Sequence, residues 1–222
     1  MKKIKKKFII PILLVIVGIG TLLYVVFPIL FFQIKFGPNY TNGNFISPIP
    51  NVLATSIVNL SGVDYGKASN WFPQTENKQA AAKISSYTLS IKKLGIEEAA
   101  VSIVSDDLFK NLVHYGGSAL PGETGNAVVF GHSTLPQLFN PKNYKTIFST
   151  LHNLKKGDEI TTTADGVTFT YGISEIKVID PSDISVLAQD SDGSYLTLIT
   201  CTPPGTYWKR LVLKAKLKSL AT

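Results

Sequence analysis

The chain has 222 residues, 45% of them hydrophobic, and a formal charge of +7, which suits one domain with its own core plus appended segments. Lys2, Lys3, Lys5, Lys6 and Lys7 crowd the amino terminus; without them the excess is 7 − 5 = +2, so no basic stripe remains and no nucleic-acid partner is expected. A single Cys excludes an internal disulfide, and one Cys with three dispersed His offers no recognisable metal-ligand spacing, so no metal or other cofactor is expected.

The first element in chain order runs from Phe8 to Phe32, uncharged and nearly all apolar, with Pro11 and Pro28 near its ends. At about 1.5 Å rise per residue it crosses a hydrocarbon layer of about 30 Å with room to tilt. A cleaved signal peptide fits less well: its apolar region is usually about 7–15 residues, and Gln33-Ile34-Lys35-Phe36 offers no small-residue cleavage site. The lysines ahead of the run should stay cytoplasmic and leave the rest of the chain outside. The division expected is a basic flank (1–7), a transmembrane anchor with membrane lipid as its partner (8–32), an extracellular spacer or appendage (33–86) and a catalytic domain (87–222).

The spacer is rich in Asn, Ser, Pro, Gly and Thr, with some order expected around Trp71, Phe72 and Pro73 and a helical turn at Gln79–Lys83. From Tyr87 onward, short β-rich runs alternate with turn clusters: Tyr87–Ile91, Ala99–Val104, Ala127–Phe130, Glu159–Thr163, Thr168–Glu175, Tyr195–Thr200 and Leu211–Leu217. Such spacing predicts an all-β sandwich or barrel. Two short helices are expected, Ser105–Val113, capped by Ser105 or Asp106, and Lys145–Leu151.

Period two sorts the last two strands by face. Cys201 shares a face with Thr197 and Ile199, while Leu211, Leu213, Ala215 and Leu217 form a core face and leave Arg210 on the outer, solvated one. The loop between Cys201 and Arg210 contains Pro203, Pro204 and Gly205. If it joins antiparallel strands, the chain's only thiol and only guanidinium meet at one hairpin mouth. A composition of 22 basic residues with one Arg suggests a task that Lys cannot perform, the planar recognition of oxygen.

A thiol of pKa near 8.5 is only a few per cent thiolate at neutral pH, so a nucleophilic Cys needs a base or cation beside it. Three histidines are candidates: His132 follows the apolar run Ala127–Gly131 at a strand end, His114 sits in a loop, and His152 follows the second helical candidate on the surface. Arg210 suits the developing oxyanion. No carboxylate has an obvious triad position.

The segment Thr197-Leu198-Ile199-Thr200-Cys201 resembles the Thr-Leu-x-Thr-Cys signature of the sortases. Gly131-His132 after a strand, and Arg210 at the start of the strand after the Cys, resemble that family too. So do Ser118–Glu123 followed by Gly125–Val129, and Leu89–Ile96, with Lys92 where Pro is usual. The likeness covers about residues 87–217 in the right order. It implies an eight-stranded sortase-type β-barrel with short helices after the transmembrane helix. It also implies a cysteine transpeptidase that cleaves a sorting signal similar to Leu-Pro-x-Thr-Gly. Its partners would be sorting-signal-bearing secreted proteins and an amine acceptor, either a cell-wall precursor or a pilin lysine. In the roles so implied, Cys201 is the nucleophile, His132 the acid and base, and Arg210 the oxyanion stabiliser. Thr200 would line the site, with Ala119, Leu120 and His114 as candidate groove residues. The long Ser133–Tyr144 segment and the Pro-Pro-Gly loop match no single subclass. L,D-transpeptidases share the order His, Cys, Arg but place one residue between Cys and Arg, where this chain has eight. A non-catalytic extracellular interaction module would leave the Cys201–Arg210 pairing without a reason.

Overall fold

The computed structural model describes residues 9–40, 64–72 and 84–221. The apolar run folds as one helix, α1 (Ile9–Tyr40), which continues past the charge-free segment and takes Pro28 into its interior. Its stretch Ile10–Lys35 is long and apolar enough to cross a bilayer, and protein covers almost none of its side chains. Such a surface is unfavourable in water and suits lipid, so α1 is consistent with a single membrane span. The basic flank and the helical turn expected at Gln79–Lys83 lie outside the described residues.

From Ser86 the chain closes into an eight-stranded barrel: β1 (Ser86–Ile91), β2 (Ile96–Ser102), β3 (Leu112–His114), β4 (Gly125–Phe130), β5 (Glu159–Ala164), β6 (Val167–Ile179), β7 (Ser194–Thr202) and β8 (Lys209–Ala221). Around the barrel the order is β1-β2-β3-β4-β7-β8-β6-β5, which leaves no open edge. Most neighbours are antiparallel, but β4 pairs parallel with β7, as β2 does with β3.

Alternation along β4, β7 and β8 sends residues to two separate apolar clusters. Val129, Leu198, Leu211 and Leu213 join Leu89, Ile91 and Val101 inside the barrel. Val128, Phe130, Ile199, Cys201 and Val212 face outward and are covered by Trp71, Phe72, Val186 and Leu187. The spacer therefore contributes a second core on the outside of three strands. Burying aromatic side chains of this size gives each a large apolar stabilisation, of order 2–3 kcal/mol.

Neither expected helix forms as read. In 105–113, side chains take the backbone groups that a helix needs. Ser102 Oγ accepts from Ser105 N–H, Ser105 Oγ from Asp107 N–H, and Asp107 Oδ1 from Phe109 N–H. Such local bonds compete with helix formation, and the segment passes through turns into β3. His114 thus ends a strand and does not sit in a loop. In 145–151 the bonds are mostly of the tighter i→i−3 kind, and Phe148 N–H donates instead to His132 O at 3.0 Å. His152, read as a surface residue, is buried against Phe32 of α1, their ring centroids 5.1 Å apart.

Candidate active site

Cys201 and Arg210 are directly opposed across the antiparallel β7–β8 ladder. The parallel β4–β7 ladder pairs Phe130 with Ile199; two residues further, the same register carries His132 abreast of Cys201. Short bonds continue the ladder there. Gly131 N–H donates to Ile199 O (3.2 Å), Thr200 Oγ1 to Gly131 O (2.7 Å), and Ser133 Oγ to Cys201 O (2.7 Å). Gly131 is required by space, since a Cβ there would strike Phe148 and Leu112. Glycine lets β4 run close beneath Phe148 and delivers the imidazole at the barrel rim.

Arg210 is on the outward face of β8, as its position in the sequence implies, yet it is only 1% exposed. Its burial corrects the solvated reading, and the cause is the spacer. The guanidinium lies 5.2 Å from the centroid of the Trp71 ring, while Nη2 reaches Trp71 O at 3.5 Å and Nη1 reaches Tyr207 O at 3.1 Å and Lys209 O at 3.3 Å. Trp71 is fully buried, its indole N–H donating to Tyr65 O at 2.9 Å, and its ring is 6.0 Å from that of His132. One indole therefore touches both the imidazole and the guanidinium. Ser69 secures the segment by donating its N–H and Oγ to the Asp106 carboxylate at 2.8 and 2.7 Å.

Arg210 has no carboxylate partner among the described residues, and its buried Nε has no hydrogen bond; nor has the buried Nε2 of His132. A buried cation held by carbonyls and a π face, with a donor to spare, suits a transient anion. Burial pushes the Cys201 thiol up to about 11, against an opposing pull from Arg210. Burial likewise pushes His132 down to about 4, with Asp64 and Asp107 raising it and Lys145 lowering it. Beneath its cover the pair is thus a neutral thiol and a neutral imidazole.

The remaining candidates are placed differently. Thr200 points to the opposite side of β7 from Cys201, its hydroxyl engaged by Gly131. His114 is buried, with Nδ1 3.1 Å from Tyr87 Oη and Nε2 3.1 Å from Ser118 Oγ. Leu120 packs against the barrel interior. Ala119 N–H donates to Gln189 Oε1 at 3.1 Å, at the base of the loop between β6 and β7. Not foreseen were Trp71 as a cover and Phe109, whose ring stacks on His132 at 4.9 Å. The cluster of aromatics in an otherwise polar spacer was the available signal for Trp71; nothing in the sequence marks Phe109. No group of three or more His, Cys, Asp or Glu is placed to hold a metal among the described residues.

The sortase domain family matches residues 89–218, which include all three site residues and seven of the barrel's eight strands almost entire. The chain belongs to the sortase family. Sortase D of Bacillus subtilis (strain 168) is 31% identical over 132 residues, covering 58% of this chain and 61% of that protein, so the likeness spans about three fifths of that relative. Among solved structures, a Clostridium perfringens sortase D5 transpeptidase is 34% identical with a TM-score of 0.51, over 61% of this chain and 79% of that one. A lid mutant of sortase A from Corynebacterium diphtheriae is 33% identical with a TM-score of 0.53, over 65% and 76%. The eight-stranded barrel of this sortase-family chain accords with both likenesses.

Proposed function

We propose that this protein is a membrane-anchored cysteine transpeptidase that cleaves a Leu-Pro-x-Thr-Gly-like sorting signal and transfers the carboxyl side of Thr to an amine. The observation that carries the reading is the register: Cys201 lies opposite Arg210 across β7 and β8, and the β4–β7 ladder, continued by Gly131 N–H to Ile199 O and Thr200 Oγ1 to Gly131 O, brings the chain to His132 on the other side. In the reaction, Cys201 Sγ gives its proton to His132 and attacks the Thr carbonyl carbon, and Arg210 donates to the oxygen as it gains charge. The C–N bond breaks, and His132 supplies the proton with which the amine leaves. The incoming amine then gives a proton to His132 as the new C–N bond forms, and His132 returns it to Cys201 Sγ as the C–S bond breaks. Thr200 acts through Gly131, fixing the strand end that carries His132. His114 is left out of the site, since both its ring nitrogens are engaged in the core.

Segment 64–72 serves as a lid. Trp71 and Phe72 fill the apolar surface of Phe130, Ile199 and Val212 on which the Leu-Pro part of a signal would lie. The catalytic domain is placed outside the cell by the positive-inside rule applied to the leading lysines, where it would meet secreted proteins and a cell-wall precursor or pilin lysine as acceptor. The test is cleavage of a quenched fluorescent sorting-signal peptide, with thioacyl enzyme trapped and weighed by mass spectrometry. Cys201→Ala is expected to abolish both; turnover that persists in this variant would sink the proposal.

A further inference from the structure

Pro28 sits inside α1 and has no N–H to give, so the carbonyl four residues earlier, Tyr24 O, lacks its helical donor. Gln137 Nε2 takes that place, donating to Tyr24 O at 3.3 Å. A freed carbonyl at membrane depth needs such a partner. Cover on the side chains of α1 begins just beyond: residues 10–25 are exposed throughout, Val26, Pro28 and Ile29 are partly covered, and Phe32 is buried against His152. The last part of α1 is thus docked on the segment that follows His132.

Helix length sets the height of that contact. About 30 Å of hydrocarbon takes about 20 helical residues. Counted from Ile9, the first residue of α1, the helix leaves that layer near Pro28, where the barrel's cover starts. Tyr24 lies about 6 Å below that level, so the turn Pro136–Leu138 falls in the outer interface. The segment bearing this turn joins β4 to β5 across the end of the barrel that carries Cys201 and Arg210. The loop between β7 and β8 adjoins it: a Cβ on Gly205 would stand 3.0 Å from Leu135 Cδ2. At this end Leu138, Tyr207 and Trp208 are 53%, 54% and 61% exposed. Exposed Trp and Tyr beside an apolar side chain are unfavourable in water and suit the boundary between lipid and water.

We propose that this surface, the turn Pro136–Leu138 with Tyr207 and Trp208, rests on the outer leaflet, so that the site-bearing end of the barrel faces the bilayer. The partner is lipid, because the surface continues the lipid-facing surface of α1 and Gln137 ties the two together. The inference goes beyond the transpeptidase reading and takes from it only the membrane anchor. Contact with the leaflet covers Leu138 and Trp208 and holds Cys201 a short way above the headgroups.

The test is fluorescence quenching in phosphatidylcholine nanodiscs that hold one full chain each. A fluorophore is attached at Leu138→Cys, Trp208→Cys or Ser219→Cys, each combined with Cys201→Ala, which removes the native thiol. Ser219 is exposed near the end of β8, at the opposite end of the barrel and beside the exposed Leu220. Lipid with a nitroxide near the glycerol end of its acyl chain should quench the Leu138→Cys and Trp208→Cys labels by at least about twofold, as for side chains lying about 5–10 Å into the interface. The Ser219→Cys label should be unaffected. Quenching at Leu138→Cys or Trp208→Cys no greater than at Ser219→Cys overturns the inference and leaves the anchor standing. A label there that is shielded from aqueous iodide yet untouched by the nitroxide lipid has protein over it, which also overturns the inference. A chain that does not enter the discs overturns the anchor and the inference together.

Discussion

At the scale of single residues, Trp71 governs the state of the site. Burial is the leading cause of both the raised thiol and the lowered imidazole, and the indole is in contact with Arg210 and His132. Trp71→Ala should admit water, move the Cys201 pKa down from about 11 and move that of His132 up from about 4. Each unit by which the thiol pKa falls gives about tenfold more thiolate at neutral pH. The rate of alkylation by iodoacetamide at pH 8 should therefore rise by at least about tenfold, with its pH midpoint shifted downward. An unchanged rate and midpoint would show that the indole does not set the thiol's environment. The pairing of Cys201 with Arg210 was legible in the sequence, because the loop between them is short and its prolines and glycine mark a turn. The burial of Arg210 was not, because the residue that covers it lies 139 positions away in the chain.

At the scale of elements, the loop between β6 and β7 is clamped onto the barrel by two amides. Asn126 Nδ2 donates to Val186 O (3.2 Å) and Ala188 O (3.3 Å), and its Oδ1 accepts from Thr197 Oγ1 at 2.7 Å. Gln189 Oε1 accepts from Asn126 N–H and Ala119 N–H, and its Nε2 donates to Asn126 O and Leu187 O. The clamp holds Val186 and Leu187 against Ile199 and Val128, beside Cys201. Asn126→Ala removes three bonds from a residue that is 1% exposed and leaves the Thr197 hydroxyl unpaired, at a cost of about 2–4 kcal/mol. Thermal melting should register the loss, and the KM for the sorting-signal peptide should rise more than kcat falls. A variant with native melting and native KM would show that the loop is held by other means. Strand faces were readable from period two, whereas the two helices were misread. Ser105 and Asp106 look like caps in sequence, but here Ser105 Oγ accepts from Asp107 N–H in a turn and the Asp106 carboxylate is taken by Ser69. β3 escaped notice because three residues are too few to show alternation.

At the scale of the whole molecule, all three histidines are buried, and burial pushes each down to about 4. Their folded pKa values lie below the unfolded value near 6.5. The stability they contribute is fully present above about pH 6.5 and is lost as pH falls through the folded value. Near pH 5.5 the unfolded chain should bind close to three more protons than the folded one. The melting temperature should fall steadily from pH 7 to pH 5, and calorimetry in buffers of different ionisation heat should count those protons; uptake near zero would contradict the burial of these rings. Strand spacing left an all-β sandwich or a barrel open, and the likeness of residues 87–217 to a known family singled out the closed barrel. The second core outside it was not foreseen, because Trp71 and Phe72, two of its largest side chains, come from a segment whose composition reads as a spacer. The parallel pairing of β4 with β7 also has a consequence in time. No hairpin can bring His132 to Cys201; the intervening chain, with β5 and β6, must first find its place around the barrel. Until those strands are in place Cys201 is an ordinary cysteine, and the imidazole reaches its side only with the last closure of the barrel.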